Sequence, residues 1–131
     1  MNFSMIEAVK TKENYHYIEW DMAPGVGESI DDWNFRILWS NDPKSGFLEV
    51  EDENGDPVTI DGAVGPLSYT HPRKQYDFNI DHYYKVKAIP KLVGPSDIES
   101  DMVFIGMYCD GVHETMKDVE DTLYNFYQGE P

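Results

Sequence analysis

The clearest pattern in the chain is alternation. In Trp33-Asn34-Phe35-Arg36-Ile37-Leu38-Trp39-Ser40 the large apolar residues Trp33, Phe35, Ile37 and Trp39 take every second position, the period of a strand with one buried and one wet face. The run His82-Tyr83-Tyr84-Lys85-Val86-Lys87-Ala88-Ile89 repeats it, with Tyr84, Val86 and Ala88 on one side and Lys85 and Lys87 on the other. In Tyr15-His16-Tyr17-Ile18-Glu19-Trp20 the heavier apolar load sits with His16, Ile18 and Trp20, which predicts that this set faces inward. Shorter runs at 5–9, 47–50, 58–60, 67–71 and 102–108 read as further strands.

Turn chemistry separates these runs. Pro24-Gly25, Asn41-Asp42-Pro43, Gly65-Pro66 and Gly94-Pro95 all break the pattern. Asn54-Gly55 is a two-residue hairpin signal and predicts 58–60 as the return strand of 47–50. About seven short strands at this spacing predict a mainly β, antiparallel sandwich. Its expected core anchors are Trp20, Phe35, Ile37, Tyr84 and Val86. Tyr84 is placed to put its ring in the core and to return its hydroxyl to the preceding loop, as a tyrosine corner does.

The last segment changes period. Val112, Met116, Val119, Leu123, Phe126 and Tyr127 recur at spacings that share one helix face. Asp110 is a candidate N-cap, and Gly129 and Pro131 mark the far end. The expected organisation is therefore a sandwich over 1–108 and a C-terminal helix and tail over 109–131, the helix itself covering 110–128. Met, Phe and Tyr on its stripe are residue types favoured at interfaces. Two roles fit the stripe: a lid on its own sandwich, or a grip on a neighbouring subunit.

Composition adds a partner preference. The chain has 131 residues with 10 Lys plus Arg against 25 Asp plus Glu, a net charge of −15. That is enough chain for one core. Its field repels phosphate backbones and anionic membrane surfaces and draws basic protein surfaces. The expected partners accordingly exclude nucleic acid and membrane. Cys109 is the sole cysteine, so an internal disulfide is impossible. The start Met1-Asn2-Phe3-Ser4-Met5-Ile6-Glu7 has no basic region followed by an apolar run, and no apolar run reaches the roughly 18 residues a membrane span needs. The expectation is a soluble protein made in a reducing cytoplasm.

Candidate chemistry is sparse. Asp52, Asn54 and Asp56 have the spacing that begins a calcium loop, but Pro57 and Ala63 stand where such a loop needs Gly and Glu. A solvated turn explains them better. His16, His71, His82 and His113 show no zinc-type spacing, so zinc would require ligands converging from separate elements. Cys109 and His113 have no nucleophile-elbow or glycine-rich context. Asp31-Asp32 reads as a solvated loop, and Gly25-Val26-Gly27 lacks the third glycine of a dinucleotide loop. The reading is no catalytic residue, no metal and no cofactor.

Four segments together carry a resemblance: Ile18-Glu19-Trp20 as a second strand, Trp33-Asn34-Phe35-Arg36-Ile37 as a third, Tyr84-Lys85-Val86-Lys87-Ala88 as a sixth, and Gly94-Pro95-Ser96 as the loop before the last. Over roughly 5–108 the chain resembles a fibronectin type III domain, an immunoglobulin-like sandwich. It departs from that pattern in its aromatic third strand, in lacking Leu-x-Pro before Tyr84, and in the helix that follows. The resemblance implies a non-catalytic spacer or binding module. Small acidic domains of this kind are also similar to accessory parts of bacteriophage particles at the neck, tail or capsid surface. The expected function is a non-enzymatic structural protein of a virion, made in the host cytoplasm. It is expected in multiple copies in a ring or lattice, docking on basic or apolar surfaces through the helix face and one sheet edge. The alternative is an accessory module for carbohydrate or protein that uses Trp33, Trp39 or the tyrosines as stacking platforms. An open groove around Trp39 favours that alternative, and a core position for Trp39 opposes it.

Overall fold

The computed structural model describes residues 1–11, 15–72 and 81–106. Among them are nine strands: β1 (Asn2–Lys10), β2 (His16–Ala23), β3 (Trp33–Ser40), β4 (Leu48–Glu49), β5 (Thr59–Asp61), β6 (Ser68–His71), β7 (His82–Pro90), β8 (Ile98–Glu99) and β9 (Val103–Ile105). A single 3-10 turn, Ile30–Asp32, leads into β3, with the Ser29 hydroxyl accepting from the Asp31 amide at its start. No α-helix occurs among the described residues. The expected helix at 110–128, with Val112, Met116, Val119, Leu123, Phe126 and Tyr127, lies outside them, as do Cys109, His113 and the end of the run at 102–108.

All strand pairs are antiparallel. One sheet has the order β1-β2-β6. The other has β4-β3-β7-β8, with β5 also on β3 and β9 also on β7. Their inner faces share one core, an arrangement compatible with a β-sandwich. Ile18, Trp20 and Met22 from the first sheet meet Trp33, Phe35, Ile37, Tyr84, Val86 and Ala88 from the second. Trp20 lies 5.7 Å from Phe35, ring centre to ring centre, so the two expected aromatic anchors touch across the interface. The alternation read from sequence is the reason for this geometry. In β2 and β7 every second side chain is buried. In β3 the alternation holds from Trp33 to Ile37 and then shifts, with Leu38 and Ser40 buried and Trp39, expected inward, half-buried. Eight consecutive residues of β3 pair with β7.

Both outer edges of the larger sheet differ from expectation. The return of 58–60 along 47–50 holds at its base, where the Val58 amide donates to the Val50 carbonyl at 2.9 Å and Glu51 bridges Pro57 antiparallel around Asn54-Gly55, but Thr59 and Ile60 leave it for β3. β4 pairs with the Leu38-Trp39 end of β3, and β5 pairs further along the same strand at Asn34, Phe35 and Arg36. The two run in one direction as a single interrupted edge. The Val50 amide donates to the Ile37 carbonyl between them, and the segment around Asn54-Gly55 loops out. The reason is that β3 offers eight residues of free edge, and pairing with that central strand outcompetes a ladder between two short segments. Likewise β7 receives β8 and β9 in sequence, so the last edge begins at Ile98 and breaks at Ser100. There the Ser100 hydroxyl accepts from the Val86 amide at 2.9 Å, and the Ser100 amide donates to the Val86 carbonyl at 2.9 Å. A side chain thus supplies one rung of the ladder. The first strand also runs longer than the 5–9 expectation, with a register shift between Phe3 and Met5.

Candidate functional site

Three histidines meet in the core at one end of the two sheets. β2 contributes His16, β6 contributes His71, and β7 contributes His82 and Tyr84. The positions follow from strand parity. His16 shares the inward side of β2 with Ile18 and Trp20, and His82 shares the inward side of β7 with Tyr84 and Val86. His16 and His71 are direct register partners, so both project from neighbouring strands of one sheet toward the other. All three imidazoles and Tyr84 are at most 1% exposed.

The Tyr84 hydroxyl crosses the interface to this pair. It lies 2.7 Å from His16 Nδ1 and 2.7 Å from His71 Nδ1. The sequence correctly turns Tyr84 inward, but these two contacts are with imidazoles of the facing sheet, not with the loop before β7. His82 stacks on Trp39 at 4.8 Å and on Tyr84 at 5.8 Å, and meets His16 edge-on at 4.9 Å. Burial pushes His16 down to about 3, with the neighbouring His82, His71 and Lys10 adding to the effect. Burial also lowers His71 to about 3, with His82 assisting. Both rings are therefore neutral at pH 7. Among the described residues no group of three or more His, Cys, Asp or Glu is arranged to hold a metal ion.

The other candidate features are at the surface. Trp39, Phe47, Leu48, Glu49 and Glu51 line an open groove of about 370 Å³. Trp39 is half-buried, its ring resting on His82, and Leu48 beside it is 63% exposed. Glu49 is held by the Arg36 guanidinium at 3.2 Å, and Lys85 sits 4.7 Å over the Phe47 ring. Trp33, the other candidate platform, is 4% exposed and belongs to the core. Asp52, Asn54 and Asp56 form a turn in which the Asp52 carboxylate accepts from the Asn54 and Asp56 amides at 2.9 and 3.0 Å. On the outward side of the larger sheet, Tyr83 of β7 and Phe104 of β9 pair at 4.9 Å, and Phe104 is 53% exposed.

The histidine cluster was missed by sequence reasoning because its members are far apart in the chain and have no spacing motif. The available signal was parity: three inward histidines on strands that also carry core residues. No protein-family model matches the chain, and no curated protein matches it.

Proposed function

We propose that the chain is a non-enzymatic assembly module, a fibronectin type III-like sandwich working as a structural component of a bacteriophage particle. The fold part of this reading is supported by the pairing. The first, second and fifth strands of an immunoglobulin-like sandwich face the third, sixth and seventh, and β1, β2 and β6 here face β3, β7 and the β8–β9 edge. The particle part is supported by the sequence resemblance and by the acidic composition.

The observation that carries a docking role is the outward pair Tyr83 and Phe104, with Met102 exposed beside it. Aromatic and Met side chains at the surface are the residue types on which interfaces are built. On a chain of net charge −15 they suit a partner with an apolar centre and a basic rim. The stripe Val112, Met116, Val119, Leu123, Phe126 and Tyr127 offers a second grip in this reading, and repeated copies in a ring or lattice add avidity.

Sedimentation of the full chain over a wide concentration range, at low and high salt, tests the reading. Species larger than the monomer are expected, and Phe104→Ser is expected to diminish them. A monomer under every condition, unchanged by that substitution, counts against it.

A second reading keeps the groove. Trp39 beside Glu49 and Glu51 fits a sugar face or a basic side chain. Titration with soluble glycans, followed by tryptophan fluorescence in the parent and in Trp39→Ala, separates this reading from the first.

A further inference from the structure

Three loops leave the same end of the two sheets, the end away from His16, His71 and His82. Residues 24–29 join β2 to the 3-10 turn ahead of β3, residues 62–67 join β5 to β6, and residues 91–97 join β7 to β8. Register fixes their common end. Asn34 near the start of β3 pairs with Asp61 at the end of β5, and Trp33 pairs with Pro90 at the end of β7. Lys91 ties the three bases together. Its amide donates to the Asp32 carbonyl at 2.9 Å, and its ammonium donates to the Asp31 carbonyl at 2.7 Å and to the Asp61 carboxylate at 2.6 Å. The loops therefore stand on a fixed base.

Their tips share one device. Val26-Gly27, Val64-Gly65 and Val93-Gly94 each set a valine before a glycine of positive φ, at 77°, 64° and 129°. In 25–28 the Glu28 amide donates to the Gly25 carbonyl at 3.1 Å and closes a turn with Gly27 at its third position, where φ must be positive. The backbone demands the glycine, but nothing in turn geometry demands the valine. Exposed turn positions favour Asn, Asp, Ser and Pro. Yet Val26 and Val93 are fully exposed, Val64 is 80% exposed, and Leu92 beside Val93 is 65% exposed. Single exposed aliphatics are ordinary, whereas four at one end of a domain mark a contact surface.

The charge around the tips says what the contact is. Residues 24–32, 61–67 and 91–97 carry Glu28, Asp31, Asp32, Asp61 and Asp97 against Lys91 alone. Lys91 is held by Asp61, and Glu28 is paired with the N-terminal ammonium. Asp31, Asp32 and Asp97 are exposed and form no ion pair among the described residues. Such a rim repels an anionic lipid surface and the same end of a second copy, and it draws a cationic one.

We propose that this end is a docking surface for a basic protein partner, whose apolar side chains meet Val26, Val64, Leu92 and Val93 inside a ring of Lys or Arg facing Asp31, Asp32 and Asp97. The surface is independent of the assembly reading, whose aromatic pair lies on the outward side of the larger sheet.

Amide NMR of the full chain tests it. The chain is titrated with a short capped peptide of lysine and leucine in equal parts, and with its counterpart carrying serine for leucine. The turn at 51–56 is the internal control, because it is acidic and exposed but bears no large apolar side chain. The leucine peptide is expected to shift the amides of 25–28, 63–65 and 91–94 first, and to go on doing so at high salt, where the serine peptide shifts neither region. Val26→Ser with Val93→Ser changes two exposed positions and is expected to leave Tm unchanged. It is expected to weaken leucine-peptide binding by at least about tenfold. No shift in the loops, equal shifts in the loops and in 51–56, or binding unaffected by the two substitutions overturns the proposal. Loop shifts on raising the protein concentration alone assign the end to a second copy, and loss of the loop signals on zwitterionic vesicles assigns it to a membrane. Either result also overturns it.

Discussion

His16 and His71 stand opposite one another on β2 and β6, and each sets its Nδ1 atom 2.7 Å from a single hydroxyl, that of Tyr84. The arrangement places a polar clamp inside an otherwise apolar core. The hydroxyl and the two Nδ1 atoms meet one another's hydrogen-bonding needs across the interface, as buried polar groups require. Removing one member exposes the dependence. Tyr84→Phe keeps the ring and its packing but removes the oxygen that both buried Nδ1 atoms meet. The expected loss is about 1–3 kcal/mol, from about 0.5–1.5 kcal/mol for each of the two hydrogen bonds removed. Urea unfolding at pH 7 measures it, and a loss below about 0.5 kcal/mol would show that the hydroxyl clamps nothing.

The same clamp fixes how stability depends on pH. Burial holds His16 and His71 near 3 in the folded chain, against about 6.5 when unfolded. A folded value below the unfolded one means that the unfolded chain binds protons first as pH falls. Stability from these groups is complete above pH 6.5 and is lost progressively toward pH 3. Two such groups remove about 4 kcal/mol between pH 7 and pH 5, a window that leaves most carboxylates ionised. Chemical denaturation at intervals of half a pH unit gives the slope directly. A stability that holds constant or rises toward pH 5 would contradict the shifts.

Much of the centre of this fold was legible in the sequence, and the reason is parity. Trp33, Phe35, Ile37 and Tyr84, Val86, Ala88 each declare an inward side, and β3, which carries the first three, pairs along its full length with β7, which carries the others. The edges were not legible in the same way. Ile98 and Glu99 are too short a run to show a period, and what decides their pairing is the open side of β7. The hairpin signal at Asn54-Gly55 is local and holds as far as Val58 on Val50, while the partner that takes Thr59 and Ile60, β3, is distant in sequence. Leu38 shows a further limit of parity. It shares the outward side of β3 with Arg36, yet it is 6% exposed between its register neighbours Glu49 and Lys85. The clamp was hidden for a third reason. His16 lies 68 residues from Tyr84 and His71 lies 13, so only the sheet topology brings them together.

Gly62 illustrates a position fixed by space alone. It follows β5, and its amide donates to the Trp33 carbonyl at 2.9 Å. A methyl group there would collide with the Ile30 carbonyl oxygen and come within 2.7 Å of the Trp33 carbonyl oxygen, both backbone atoms that cannot swing away. Gly62→Ala is expected to cost about 3 kcal/mol, the upper part of the range for overpacking. Gly27, at φ 77° with open space around it, is the control, where alanine meets only backbone strain. Thermal unfolding of both variants should place Gly62→Ala well below Gly27→Ala, and equal effects would mean that the turn at 61–64 yields.

Ser100 tests whether the split final edge holds its place through one side chain. Between β8 and β9 the Ser100 hydroxyl accepts from the buried Val86 amide at 2.9 Å and donates to the Asp101 carbonyl at 2.8 Å. Ser100→Ala leaves the backbone bond to the Val86 carbonyl intact but removes the acceptor for the Val86 amide. A buried donor left unmet costs about 1–3 kcal/mol. The effect should also be local, since β3 pairs with β7 on the other side and is untouched. Amide hydrogen exchange checks both parts: Val86 is expected to lose protection by about ten- to a hundredfold, the equivalent of about 1.4–2.8 kcal/mol. Ile37, the register partner of Val86 on β3, should change only by the global loss of stability. Equal loss at both amides would assign the effect to the whole sheet and remove the special role of the hydroxyl.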